Sequence, residues 1–130
     1  MNTLLAEKIL DASQAKPVFL ISSAAVYGPQ KGRLSEDTQV MPISEYAEDK
    51  VEMEKIAKKH SNARILRLGN VLGADALLGV KRDHYLVDRF ADGQSPRRSY
   101  IAPHQFGMII AQLVNQFNSC LLYTSDAADE

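Results

Sequence analysis

The stretch Val18-Phe19-Leu20-Ile21-Ser22-Ser23-Ala24-Ala25-Val26-Tyr27-Gly28 decides the fold. Four apolar residues in succession, without alternation, suit a strand covered on both faces, as in a parallel sheet flanked by helices. The strand ends in Ser22-Ser23, and the C-terminal ends of parallel strands are where open sheets place their ligands. On the N-terminal side, Pro17 interrupts a segment from Asn2 to Gln14 with apolar residues at Leu4, Leu5, Ile9 and Ala12. That spacing predicts a helical stripe, with Asn2 or Thr3 capping its first turn.

On the C-terminal side, Tyr27 to Pro42 contains Gly28, Pro29 and Gly32 among polar residues and reads as a long surface loop. Loops of this length within compact domains are more often functional than idle. Ser44 to His60 predicts a charged helix with Tyr46, Lys50, Met53 and Ala57 on one face. Ala63 to Leu68 predicts a second strand, closed by Gly69-Asn70. A weaker helical stretch from Val80 to Ala91 ends at the turn Asp92-Gly93. A short strand over Ser99 to Ala102 precedes Pro103. Phe106, Ile109, Ile110, Leu113, Val114 and Phe117 then recur at helical spacing. Helix–strand–helix–strand order implies crossovers and a parallel sheet.

Composition narrows the function. With 130 residues the chain has room for one core. Lys plus Arg number 15 against 16 Asp plus Glu, a formal charge of −1, which lacks the cationic excess needed to track phosphates along a nucleic acid. Hydrophobic residues at 45% and charged residues at 24% are globular values that argue against wholesale disorder. A single cysteine excludes an intrachain disulfide framework and a thiolate metal cluster. No apolar run approaches the ~20 residues of a bilayer span, and no basic–apolar–small leader opens the chain. A soluble cytoplasmic protein is the expectation. His60, His84 and His104 have no metal-ligand spacing and read as surface side chains.

Tyr46 and Lys50 stand four residues apart on the predicted helix, so their side chains share a face. A tyrosine alone titrates near ~10, too high for proton transfer at neutral pH. A neighbouring ammonium favours the phenolate, which makes the pair a candidate general acid/base. The spacing also arises by chance in a chain rich in tyrosine and lysine, so position carries more than spacing. A strand-end serine can hydrogen-bond the same substrate oxygen, or simply satisfy local backbone.

Ser22 to Gly28 (S-S-A-A-V-Y-G), Tyr46-x-x-x-Lys50, Leu66 to Gly73 (L-R-L-G-N-V-L-G) and Asp92 to Ile101 (D-G-Q-S-P-R-R-S-Y-I) occur in that order. Together they resemble the extended short-chain dehydrogenases/reductases, the NAD-dependent epimerase/dehydratase family, over Asn2 to about Asn118. The resemblance implies an α/β fold: a partial Rossmann-type parallel sheet with packed helices, lacking the N-terminal dinucleotide-binding half. It implies a cofactor, NAD or NADP, and a small-molecule substrate such as a nucleotide sugar, in a homodimeric parent; the charge balance and the lack of a long apolar run argue against a nucleic acid or membrane partner. Residue by residue, Ser23 matches the catalytic Ser/Thr, Tyr46 the acid/base, and Lys50 its partner, which also binds the nicotinamide ribose. Gly69 and Val71 flank the backbone that approaches the nicotinamide. Asn70 matches a substrate-binding asparagine and Arg98 an arginine that grips the diphosphate; a capping amide and a surface cation are the alternatives.

The departures from that pattern are specific. None of the seven glycines forms the G-x-x-G-x-x-G loop that holds the dinucleotide pyrophosphate at a helix N-terminus. Glu48 and Asp49 stand where the family has small or neutral residues, Gln105 replaces the usual aspartate, and the span from Asn70 to Arg98 is short. The favoured reading is an epimerase or dehydratase of a nucleotide sugar or related hydroxy/keto compound, the fragment itself inactive. An NADPH-dependent carbonyl reductase and a non-catalytic dinucleotide-binding protein are the alternatives. Cys120 to Glu130 resembles an in-frame translation of a sequencing adapter, and is expected to be irregular and non-native.

Overall fold

A computed structural model describes residues 2–14, 16–30, 32–74, 83–86, 89–95 and 98–125, the backbone only for 2 and 117–125. The elements are α1 (Asn2–Ala12), β1 (Val18–Ser23), a 3-10 turn (Ala24–Tyr27), α2 (Glu45–Ala57), β2 (Ala63–Leu68), β3 (Asn70–Val71), β4 (Tyr100–Ile101) and α3 (Pro103–Ser125). They fall into two compact units, Met1–Gly69 and Asn70–Glu130.

In the first unit β1 and β2 pair in parallel, in register from Val18 opposite Ala63 to Ser23 opposite Leu68. A parallel pair needs a crossover, which α2 supplies. Ala6, Leu10, Leu20, Met53 and Ala57 form the core, with Val18, Ile56, Ala63 and Ile65 packed against it. Two expectations are corrected here. The buried face of α1 is Ala6 and Leu10, four residues apart, whereas Leu4, Leu5 and Ile9 stay exposed. The buried face packs with Leu20 of β1 and Met53 and Ala57 of α2 in the core. The strand, in turn, is not covered on both faces among the described residues. Leu20 and Ser22 are buried while Ile21 between them is exposed, the period-2 pattern of a half-covered strand. Nor does Thr3 cap α1, since the helix already includes Asn2.

Helix α2 is capped by Ser44, whose side chain accepts a hydrogen bond from the Ala47 amide at 3.3 Å. Glu45 and Glu48 lie in its first turn, favourably placed at the positive end of the helix dipole. The loop before it is ordered by its own polar groups. Gln30 Nε2 donates to the Tyr27 and Gln39 carbonyls at 2.6 and 2.7 Å, and the Met41 amide donates to the Val26 carbonyl at 2.9 Å. Gly28 sits at φ +66°, and a Cβ there would lie 2.1 Å from the Met41 carbonyl oxygen. Both the left-handed backbone and the close approach require glycine.

In the second unit β3 and β4 pair in parallel, Asn70 opposite Tyr100 and Val71 opposite Ile101. The Asp92-Gly93 turn forms as expected: the Gly93 amide donates to the Phe90 carbonyl at 2.9 Å, with Gly93 at φ +80°. The helix expected over Val80 to Ala91 is not present at 83–86 or 89–90, and its remaining positions, apart from Ala91 at the turn, lie outside the described residues. Helix α3 opens with Pro103, a favoured first helical residue. Gln105 Oε1 accepts the Ala102 amide just before it at 3.3 Å, half of a capping box. The helix continues to Ser125, so residues 120–125 are helical rather than irregular; 126–130 lie outside the described residues.

Candidate active site at the C-terminal end of the first strand

Ser23 is the last residue of β1, half-buried, and its Oγ accepts the Ala25 amide at 3.2 Å. This contact caps the following 3-10 turn and uses the oxygen as acceptor, leaving the hydroxyl hydrogen to donate elsewhere. Tyr46 lies in the first turn of α2 and is 55% exposed. One turn further on, Lys50 donates from Nζ to the Ile21 carbonyl at 2.8 Å. The ammonium stands 5.7 Å from the centroid of the Tyr46 ring. One hydrogen bond therefore anchors the lysine to the strand end two residues before Ser23, and its other two N–H groups remain donors. Glu48 and Asp49 are exposed on the helix.

Sequence reasoning missed the polar cluster behind this strand end. Glu54 is one turn beyond Lys50 and 3% exposed. Its Oε1 accepts the Ser22 hydroxyl at 2.6 Å and Arg67 Nε at 2.9 Å, while Oε2 accepts Arg67 Nη2 at 2.7 Å. The pair is bidentate, the strong geometry for guanidinium and carboxylate. Arg67 Nη1 donates further to the Tyr27 hydroxyl at 2.9 Å and the Glu36 carbonyl at 3.0 Å. Its guanidinium also lies 4.9 Å from the Tyr27 ring centroid. Burial opposes ionisation of Glu54, but the hydrogen bonds from Arg67 and Ser22 and the charge of Arg67 outweigh it and hold the carboxyl below its ordinary value. The Glu54 carboxylate in turn raises the Arg67 pKa. The signals were present in the chain: Glu54 continues the four-residue spacing of Tyr46 and Lys50, and Arg67 interrupts an apolar strand.

The remaining expected residues lie at or beyond the boundary between the units. Gly69 is exposed after β2. In the second unit, Asn70 Nδ2 donates to the Ser99 carbonyl at 3.2 Å, so its amide ties the β3 edge to the segment entering β4. Val71 pairs with Ile101, and Arg98 is exposed. Among the described residues no cluster of His, Cys, Asp and Glu is arranged to hold a metal, and no helix is long and apolar enough to cross a membrane.

A family model for the NAD dependent epimerase/dehydratase family matches residues 1–99. The chain belongs to this family. A UDP-glucose 4-epimerase of Lactobacillus helveticus is 38% identical over 81 residues, covering 58% of this chain and 24% of that protein. The crystal structure of a UDP-glucuronic acid 4-epimerase from Bacillus cereus, in complex with UDP-glucuronic acid and NAD, superposes with a TM-score of 0.50 at 28% identity. It covers 55% of this chain and 26% of that one. A short-chain dehydrogenase/reductase superfamily protein from Agrobacterium tumefaciens, solved with bound NAD, gives a TM-score of 0.65 at 18% identity over 78% of this chain and 45% of that one, a likeness of fold. The parallel strands and packed helices of this family member are thus Rossmann-like. The chain spans about a quarter of the length of the two epimerases it matches.

Proposed function

We propose that this chain carries the acid/base end of an NAD(P)-dependent epimerase or dehydratase acting on a nucleotide sugar or a related hydroxy/keto compound. The observation that carries the reading is the Lys50 ammonium, anchored at 2.8 Å to the Ile21 carbonyl and standing beside the Tyr46 ring. Tyr46 exchanges a proton with a substrate hydroxyl. Ser23 donates its hydroxyl hydrogen to the same substrate oxygen. The UDP-sugar relatives support the nucleotide-sugar substrate.

The donor set fits the nicotinamide end of a dinucleotide. Lys50 has N–H groups to spare for ribose hydroxyls, and Tyr46 presents an exposed phenol beside them. When bound, the dinucleotide supplies hydride transfer at the carbon bearing the reacting oxygen. The cofactor role of Gly69 and Val71 and the substrate role of Asn70 and Arg98 rest on the family resemblance of their motifs alone. Residues 2–118 form the catalytic part, and 120–130 an adapter-derived tail.

The test replaces the matching segment of the Lactobacillus helveticus enzyme with this chain's sequence and measures 4-epimerisation of UDP-glucose. Tyr46→Phe in that chimera is expected to lower turnover at least 100-fold while NAD stays bound, in line with the range for general acid–base catalysis, ~10²–10⁴. Unchanged turnover would remove Tyr46 from the chemistry.

A further inference from the structure

We propose that Arg67 is a positioning residue for Ser23, acting through the Glu54 carboxylate on one side of the serine and the Tyr27 hydroxyl on the other. The inference rests on the reading of Ser23 as the group that donates to the substrate oxygen. Ser22 and Arg67 are register partners across the β1–β2 pair. One carboxylate oxygen of Glu54 joins them, accepting Ser22 Oγ at 2.6 Å and Arg67 Nε at 2.9 Å. This fixes the residue immediately before Ser23. The 3-10 turn that Ser23 caps ends at Tyr27, and Arg67 Nη1 holds the Tyr27 hydroxyl at 2.9 Å. The turn that follows Ser23 is therefore fixed at its far end by the same guanidinium.

Ser23 is thus bracketed by one ion pair. The bracket also joins it to the helix of the acid/base pair, because Tyr46, Lys50 and Glu54 recur every four residues along α2. Two consecutive β1 residues, Ile21 and Ser22, are held by two consecutive members of that series, Lys50 and Glu54. A further contact of the same cluster, the Glu36 carbonyl on Arg67 Nη1, ties in the loop between Gly28 and Ser44. Only a guanidinium serves all of these at once: two nitrogens grip the carboxylate in one plane while a third points away from it. Lysine keeps the charge that Glu54 needs and loses the fork. The arrangement predicts that charge at position 67 governs folding, and that the fork governs the orientation of Ser23.

The experiment separates these two. Arg67→Lys and Tyr27→Phe are made in the 130-residue chain, and the Ser23 side-chain rotamer is followed by Hα–Hβ couplings in solution NMR beside a thermal melt. The wild-type serine is expected to show one rotamer. Both variants are expected to fold with melting points near wild type and to show averaged couplings at Ser23, while couplings at Ser44, a cap outside the cluster, stay unchanged. In the Lactobacillus chimera the same two variants are expected to lower kcat about 10-fold with KM within about twofold. A single Ser23 rotamer in both variants overturns the inference, as does a loss of order equal at Ser23 and Ser44. The NMR readout does not require that Tyr46 be catalytic. A chimera in which Tyr46→Phe is silent defeats the proposed function, whereas one in which Tyr46→Phe is silenced but Arg67→Lys turns over normally defeats only the positioning role.

Discussion

The Lys50 ammonium donates to the Ile21 carbonyl at 2.8 Å, a contact between residues 29 positions apart that docks α2 onto the strand bearing Ser23. This contact gives Lys50 a structural duty beside its proposed role toward Tyr46 and the cofactor, and the two duties make its variants distinguishable from those of Tyr46.

Lys50→Ala is expected to weaken both folding and dinucleotide binding, and Tyr46→Phe neither to a comparable degree. The lost charged hydrogen bond is partly exposed, so the stability cost is about 1 kcal/mol. Paired thermal melts of the chain and NAD titrations of the chimera check the asymmetry. Equal loss of NAD affinity in both variants would count against it.

Gly28→Ala should destabilise the first unit by roughly 2–3 kcal/mol, the sum of a left-handed backbone and a clash that only movement of the loop can relieve. Because the obstacle is the Met41 backbone oxygen, a substitution at Met41 itself does not rescue it. Urea titration of the variant measures the cost. A change below about 0.5 kcal/mol would show that the loop moves freely.

Glu54 makes stability depend on acidity with a defined sign. Its folded pKa is lowered below the ordinary value of 4.5, so the unfolded chain binds the proton more readily. The contribution is fully present above that value and is lost as pH falls through the lower, folded one. Unfolding curves at pH 7 and at steps below pH 4.5 should show this loss in the wild type. Glu54→Gln, which cannot titrate, should be less stable at pH 7 and flatter with acid over that window.

Breaking the same pair from the other side is expected to cost more than conservative replacement. Arg67→Met leaves a buried carboxylate without its cation, a loss of about 3–5 kcal/mol in comparable buried pairs. Arg67→Lys should recover most of it. Denaturation of the two variants side by side decides this, and equal destabilisation would mean that charge is not what folding requires.

The chain as it stands is expected to bind NAD or NADP more weakly than micromolar. Its 130 residues contain the proposed nicotinamide-end donors but no glycine-rich loop for the pyrophosphate, whose backbone amides contribute fixed hydrogen bonds to the dinucleotide. Calorimetric titration is the measurement, and saturable micromolar binding would contradict the expectation.

The α/β class, both strands of the first unit and the Tyr46–Lys50 pair were legible in the residues, because each depends on local order. Four apolar residues end at a serine, a four-residue spacing puts two side chains on one helix face, and glycine marks the turns. Even the family follows from the order of four short motifs. Burial was less legible. The apolar stripe of α1 pointed to Leu4, Leu5 and Ile9, yet the helix buries Ala6 and Leu10, since the face that packs is chosen by what α2 offers and not by the largest side chains. The Ser22–Glu54–Arg67–Tyr27 cluster could not be assembled from spacing, although Glu54 continues the four-residue series of Tyr46 and Lys50. Its members come from two strands, a helix and a turn, and a carboxylate or guanidinium becomes a structural group only when folding removes its water and supplies the opposite charge. Local pattern named Ser23, Tyr46 and Lys50; long-range pairing chose the residues packed behind them.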